Sequence, residues 1–184
     1  NFVDTYQRSG LYPVETPAPG PPGPRTDAGT ARVAVILDDG GYGGAITDAA
    51  LALDTGVTLA VLPDTPFAAE TARAAAEKGF EVMLHMPMET KSKEARPFPR
   101  QLTVDMTAEE IARATARALA AVPGARGVNN HTGSRFTAAP GKLRAFFEPV
   151  KQAHLYFVDS RTSPETRAYA VARTISASVA STEV

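Results

Sequence analysis

From Arg32 onward, apolar positions come in short dense runs separated by longer stretches of mixed polarity. Arg32–Leu37 (RVAVIL) is a nearly unbroken apolar run with β-branched residues, the pattern of a strand buried on both faces. Val57–Leu62, stopped by Pro63, and Phe80–His85 repeat it, and shorter runs follow at Gly127–Asn130 and Leu155–Val158. Between them lie helical stretches. Ala45–Asp54 is ended by Gly56, and the Ala-rich Pro66–Lys78 has Pro at its start and Gly79 at its end. Thr107-x-x-Glu110 is a capping box opening a helix to about Val122. Pro140–Gln152 is a further helix, and Ser163 caps one at Pro164–Arg173. This alternation predicts an α/β fold with a parallel sheet, open or closed into a barrel, whose ligands collect at the C-terminal ends of the strands.

The stretch before Arg32 has another texture. Residues 1–31 hold six of the 15 prolines, most of them in the run from Pro17 to Pro24. Such a stretch cannot build backbone ladders and is expected to be a semi-rigid tether ahead of a domain at residues 32–184. The chain opens on Asn1 rather than Met, so any leader or anchor is expected to lie outside this sequence. With 184 residues there is room for one domain. Nineteen Lys and Arg against 20 Asp and Glu give a net charge of −1, which supplies no basic field for nucleic acid. No run approaches the roughly 18 apolar residues of a membrane span. Cysteine is absent, which excludes disulfides, Cys-ligated metal and Cys nucleophiles together.

The strand ends carry the chemistry. Asp38-Asp39 ends the first strand, His85 the third, Asn129-Asn130-His131 the fourth and Asp159 the fifth. Two of the three histidines and three carboxylates are thereby expected at one rim. Carboxylates and neutral imidazoles are ligands for a divalent metal, and a three-ligand site keeps a position open. A single strand-end His is more often structural, and an Asp-Asp before glycines is as often a solvated turn; it is the convergence from separate strands that favours a metal site. His154 lies at the opposite rim, just before a strand, and is expected to be a structural or surface residue. The glycines at 40, 41, 43 and 44 lack the Lys-Ser/Thr of a phosphate loop and the GxGxxG spacing, so they suit a sharp turn and close approach of substrate rather than a nucleotide. Residues 86–106 form a long loop bearing Arg96, Phe98 and Arg100, expected either as one wall of a ligand groove or as a surface excursion.

The segments VAVILDDGGYGG, GFEVMLHMPME, GVNNHTGSRFT and LYFVDSRTSPET, in this order over about residues 32–170, resemble the divergent polysaccharide deacetylase family. This is a bacterial, largely periplasmic branch related to the NodB-type deacetylases of carbohydrate esterase family four. The resemblance implies a NodB-like distorted (β/α) barrel of parallel strands with a divalent metal, most often Zn2+, at its C-terminal rim. It makes Asp38 the catalytic base and Asp39 a metal ligand. The main deacetylase family places a second metal His four residues after the first, where this chain has Glu89. His131, in the NNHTGS motif, is the natural third ligand beside Asp39 and His85; Glu89 is the alternative, or a group behind the ligands.

The family usually continues with further strands and a late His motif, whereas no His follows His154 here, so the barrel is expected to be incomplete at the C-terminus. The implied activity is hydrolysis: removal of acetyl groups from N-acetylated or O-acetylated envelope glycans, peptidoglycan-like or other, by metal-activated water with Asp38 taking its proton. Arg135 and Asp159 are candidates to orient Asp38 or bind sugar, or form an ion pair without a catalytic role. A non-catalytic metal- or glycan-binding envelope module on the same fold is the alternative. A metal phosphoesterase would share the ligands but want basic phosphate clamps near the site. The implied location is the bacterial periplasm or envelope.

Overall fold

The computed structural model describes residues 3–7, 33–92, 96–175 and 177–181. Among the described residues, seven strands form one sheet in chain order: β1 (Val3–Gln7), β2 (Val33–Gly40), β3 (Val57–Val61), β4 (Glu81–Met88), β5 (Gly127–Thr132), β6 (Tyr156–Asp159) and β7 (Val179–Ser181). Strands β2 to β7 are all parallel, and β1 runs antiparallel along the outer edge of β2, Val3 opposite Leu37 and Gln7 opposite Val33. Five helices intervene among the described residues: α1 (Gly44–Ala50), α2 (Ala68–Glu77), α3 (Ala108–Ala121), α4 (Pro140–Gln152) and α5 (Ala168–Thr174). The α/β alternation is as expected, and the sheet is open among the described residues, as in an incomplete barrel. No described helix is long and apolar enough to cross a membrane.

Consecutive parallel neighbours need a crossover each time, and the crossovers lay their helices against one face. The core divides accordingly. On the helix face lie Leu59, Val61, Val82, Leu84, Val128 and Phe157. On the other face a smaller cluster holds Ile36, Ala60, Met83 and Val158, with Tyr156 packed against it. Alternation of side chains along each strand produces this division. Phe136, Phe146, Phe147 and Phe157 anchor the helix side with ring centroids 5.2 to 6.5 Å apart; truncating one to Ala would cost about 3–5 kcal/mol. On the inner face, a Cβ on Gly127 would stand 2.4 Å from the Tyr156 ring, so the close strand packing there requires glycine.

Element ends depart from expectation in places. Val3–Gln7, inside the stretch expected as a tether, is a strand: Val, Thr and Tyr suit one, and the prolines that suggested a tether all follow it. Residues 8–32, with the proline run, lie outside the described residues. Strand β4 runs on past His85 to Met88 because Met86, Pro87 and Met88 stay paired with Asn130, His131 and Thr132 of β5, and the chain also returns beside it, Leu102 donating to the Pro87 carbonyl and Glu89 to that of Leu102. Helix α5 starts at Ala168 rather than Pro164, since Ser163 accepts the Glu165 amide and Thr166 bonds Asp159, holding 163–167 in turns. The Thr107 capping box forms as expected, Thr107 Oγ1 accepting the Glu110 amide and Glu110 Oε2 accepting that of Thr107.

Candidate metal centre

Strand parity decides which polar side chains meet. On β4, Val82 and Leu84 face the helices and Met83 faces inward, so His85 faces inward too. On β5, Val128 faces the helices, which turns Asn129 and His131 inward. Registry then places Asn129 opposite His85 and His131 opposite Pro87.

Asp38 and Asp39 are adjacent, and regular alternation would send them to opposite faces. A bulge prevents this. Leu37 pairs with Leu59 and Gly40 with Val61, so three steps on β2 match two on β3 and one residue is extra. Asp39 absorbs it with φ 64°, a left-handed conformation that Asp tolerates better than most residues but at a cost of roughly 1–3 kcal/mol. Both carboxylates thereby reach the inner site.

Asp39 Oδ1 stands 3.4 Å from His85 Nε2 and 3.1 Å from His131 Nδ1, and the two ring nitrogens are 3.2 Å apart. The side chain of His85 is buried, that of His131 one-quarter exposed and that of Asp39 about half exposed. Donor atoms 2.0–2.1 Å from a tetrahedral Zn2+ would be separated by about 3.3–3.4 Å. The triangle matches one face of such a site. The donor set, two imidazoles and one carboxylate, also suits zinc, and the exposed side is where a fourth position would open.

Asn129 fixes the chemical form of this triangle. Its Oδ1 is 2.8 Å from His85 Nδ1, while its Nδ2 donates to Asp38 Oδ1 at 2.8 Å. With the amide held this way round by Asp38, His85 Nδ1 carries the proton and Nε2 keeps its lone pair for a metal. Burial opposes a charge on His85, but Asp39, Asp38 and Asn129 outweigh it and raise its pKa. Hydrogen bonds from His131 and then His85 hold the Asp39 carboxyl far below the usual range, against the opposing effect of burial.

The other expected groups lie around this centre. Glu89 is engaged elsewhere: its Oε1 accepts from Arg135 at 2.7 Å and its Oε2 from the Val104 amide at 2.8 Å. Arg135 therefore takes Glu89 as its carboxylate partner. Asp159 alternates with Val158, so it faces the helices, where it accepts from the Arg161 amide and the Thr166 hydroxyl. Burial raises its pKa, with those two bonds and the Arg161 charge opposing. His154 is exposed in the turn after α4, away from the triangle. Of the long loop, Phe98 packs its ring against His131 at 5.2 Å between centroids, and Arg100 is tied to Asp64 at 2.9 Å, while residues 93–95 lie outside the described ones.

The role of Asn129 is not announced by its place at a strand end. Its signal was the two-residue spacing to His131, which puts both side chains on one face of a strand.

The family model described as divergent polysaccharide deacetylase matches residues 35–184. The chain is 36% identical over 143 residues to the uncharacterized protein YibQ of Escherichia coli, a match covering 77% of this chain and 44% of that protein. It is 29% identical over 143 residues to an uncharacterized protein of Haemophilus influenzae, covering 78% of this chain and 51% of the relative. The chain thus spans about half the length of these curated relatives. The crystal structure of an uncharacterized protein from Agrobacterium tumefaciens superposes with a TM-score of 0.74 at 23% identity, over 82% of this chain and 63% of that one, and shares the fold.

Proposed function

The chain belongs to the divergent polysaccharide deacetylase family, and from that premise we propose that it is a metal-dependent hydrolase removing acetyl groups from N-acetylated or O-acetylated glycans of the bacterial envelope. The observation that carries this reading is the donor triangle of Asp39, His85 and His131 with Asp38 directly behind it. A divalent ion, Zn2+ by donor type, would be held by those three residues and would supply Lewis acidity toward a carbonyl oxygen and toward water.

The remaining work falls to the chain. Asp38, its Oδ1 oriented by the Asn129 amide, takes a proton from the attacking water. Water's oxygen joins the acetyl carbon, the C–N or C–O bond breaks, and the amine or alcohol leaves with a proton, so acetate and a free sugar group are formed. His85 and His131 are ligands. Arg135, acting through Glu89, and Asp159, acting through the turn after β6, are positioning residues: the first fixes the loop whose Phe98 borders His131, the second the segment leading into α5. A periplasmic or envelope location and a glycan partner follow from the family premise.

The test is acetate release from N-acetylated and O-acetylated glycans by zinc-loaded protein, with Asp38→Asn alongside. Release that falls about 10²–10⁴-fold in Asp38→Asn, with metal content unchanged, is the expected result. No release from any substrate by the zinc-loaded protein would overturn it in favour of a non-catalytic glycan-binding module.

A further inference from the structure

The metal centre has an aromatic wall. The Phe98 ring lies against the His131 imidazole, with centroids 5.2 Å apart and planes inclined at 63°. An edge-to-face contact of this kind engages at most one face of the phenyl ring, and Phe98 is only partly buried. Its place is fixed from several sides. The Phe98 amide donates to Gln101 Oε1 at 3.2 Å, and its carbonyl accepts the Gln101 amide. Arg100 Nη1 donates to Asp64 Oδ1 at 2.9 Å, on the segment after β3, and Leu102 is hydrogen-bonded beside β4. Touching His131 of β5 on one side and Asp64 on the other, residues 98–100 span the end of β4, the strand that carries His85.

Two chemistries meet here. Phe98 offers a flat apolar face in contact with a donor residue of the triangle. Arg100 uses Nη1 on Asp64 and is otherwise largely exposed, which leaves N–H donors for hydroxyl oxygens. An aromatic wall with a few placed polar groups is the usual make-up of a small-molecule site. A hydrocarbon ligand would leave the guanidinium unused, and a small ion would leave the ring unused. A pyranose uses both, since its C–H groups form a flat apolar face and its hydroxyls stand around the edge.

We propose that Phe98 is the platform on which the pyranose ring bearing the acyl group stacks, with Arg100 at its hydroxyl edge, so that Phe98 selects a sugar at this centre. The inference rests on the hydrolase reading for its substrate, but binding tests it apart from turnover. Zinc-loaded protein is titrated with tri-N-acetylchitotriose, and Kd is read from saturation transfer to the sugar ring protons. Phe98→Ala should weaken binding about tenfold with zinc content unchanged, and Phe98→Trp, which keeps a flat ring, should bind at least as tightly as the wild type. Phe98→Leu separates a platform from simple cover for His131, because it retains apolar packing on the imidazole without a flat face. It should lose the sugar as Phe98→Ala does and keep the zinc; if Phe98→Ala does not fold, Phe98→Leu carries the comparison. Wild-type protein that does not bind the trisaccharide would overturn the proposal, as would Phe98→Leu binding it like the wild type, or zinc lost in step with the sugar. Acetate release is measured on the same samples. Phe98-dependent binding without release keeps the platform and removes the hydrolase; release with KM unchanged in Phe98→Leu does the reverse.

Discussion

Asn129 stands opposite His85 across the β4–β5 pair, and its Oδ1 accepts a hydrogen bond from the ring's Nδ1 at 2.8 Å. The ring is otherwise enclosed, and the same amide is anchored on Asp38. One side chain therefore sets both the tautomer of a metal ligand and the aim of the carboxylate beside it.

Asn129→Ala should lower Zn2+ affinity about 10–100-fold, the usual effect of losing the group behind a ligating imidazole. Competition with a chromophoric chelator measures it. Unchanged affinity in a folded variant would show that His85 does not depend on the amide.

His85→Ala and His131→Ala should each abolish tight divalent-metal binding, since two remaining donors compete poorly with water. Metal content after dialysis, measured by elemental analysis, decides it. Full stoichiometry in both variants would place the metal elsewhere.

The two consecutive aspartates should separate. Asp39→Asn replaces a charged donor atom with a neutral one and should weaken Zn2+ binding, whereas Asp38→Asn should leave loading intact and affect turnover alone. Titration calorimetry on both variants makes the comparison. Equal loss of metal affinity in the two would make Asp38 a ligand as well.

Asp159 gives a pH signature. Its folded pKa is raised by burial, above an unfolded value of about 3.9. Its contribution to stability is full below the unfolded pKa and is lost as pH rises through the folded one. Asp159→Asn does not titrate, so its melting temperature should gain on that of the wild type as pH rises above the unfolded value of about 3.9. A difference independent of pH would mean that the carboxyl is not destabilised by its burial.

The five strands from β2 to β6 were legible because dense apolar runs with Gly and Pro stops leave few alternatives. The capping box of α3 was legible for a similar reason, as a local pattern with a local hydrogen-bond pair. Strand β7, at three residues, was too short to stand out, and β1 was read together with the prolines after it. His85, His131 and Asp39 could be nominated from strand ends, yet strand ends specify only a rim. Which face of the sheet a residue takes depends on parity, and parity separates Asp159 from the triangle although it ends a neighbouring strand. Glu89 was ambiguous for another reason: its engagement by Arg135 and Val104 depends on a loop return that no periodicity announces.

The extra residue on β2 has a consequence for how this centre can be lost. Shortening the stretch between Leu37 and Gly40 by one residue, with a carboxylate retained, would restore regular alternation. Every hydrophobic contact of β2 with β3 could persist and the chain could still fold, but the surviving aspartate would serve only one of the two positions now occupied by Asp38 and Asp39. The centre is therefore specified by a length as well as by residue types. A relative that keeps both histidines but lacks this one-residue excess would be the same architecture with its chemistry disconnected.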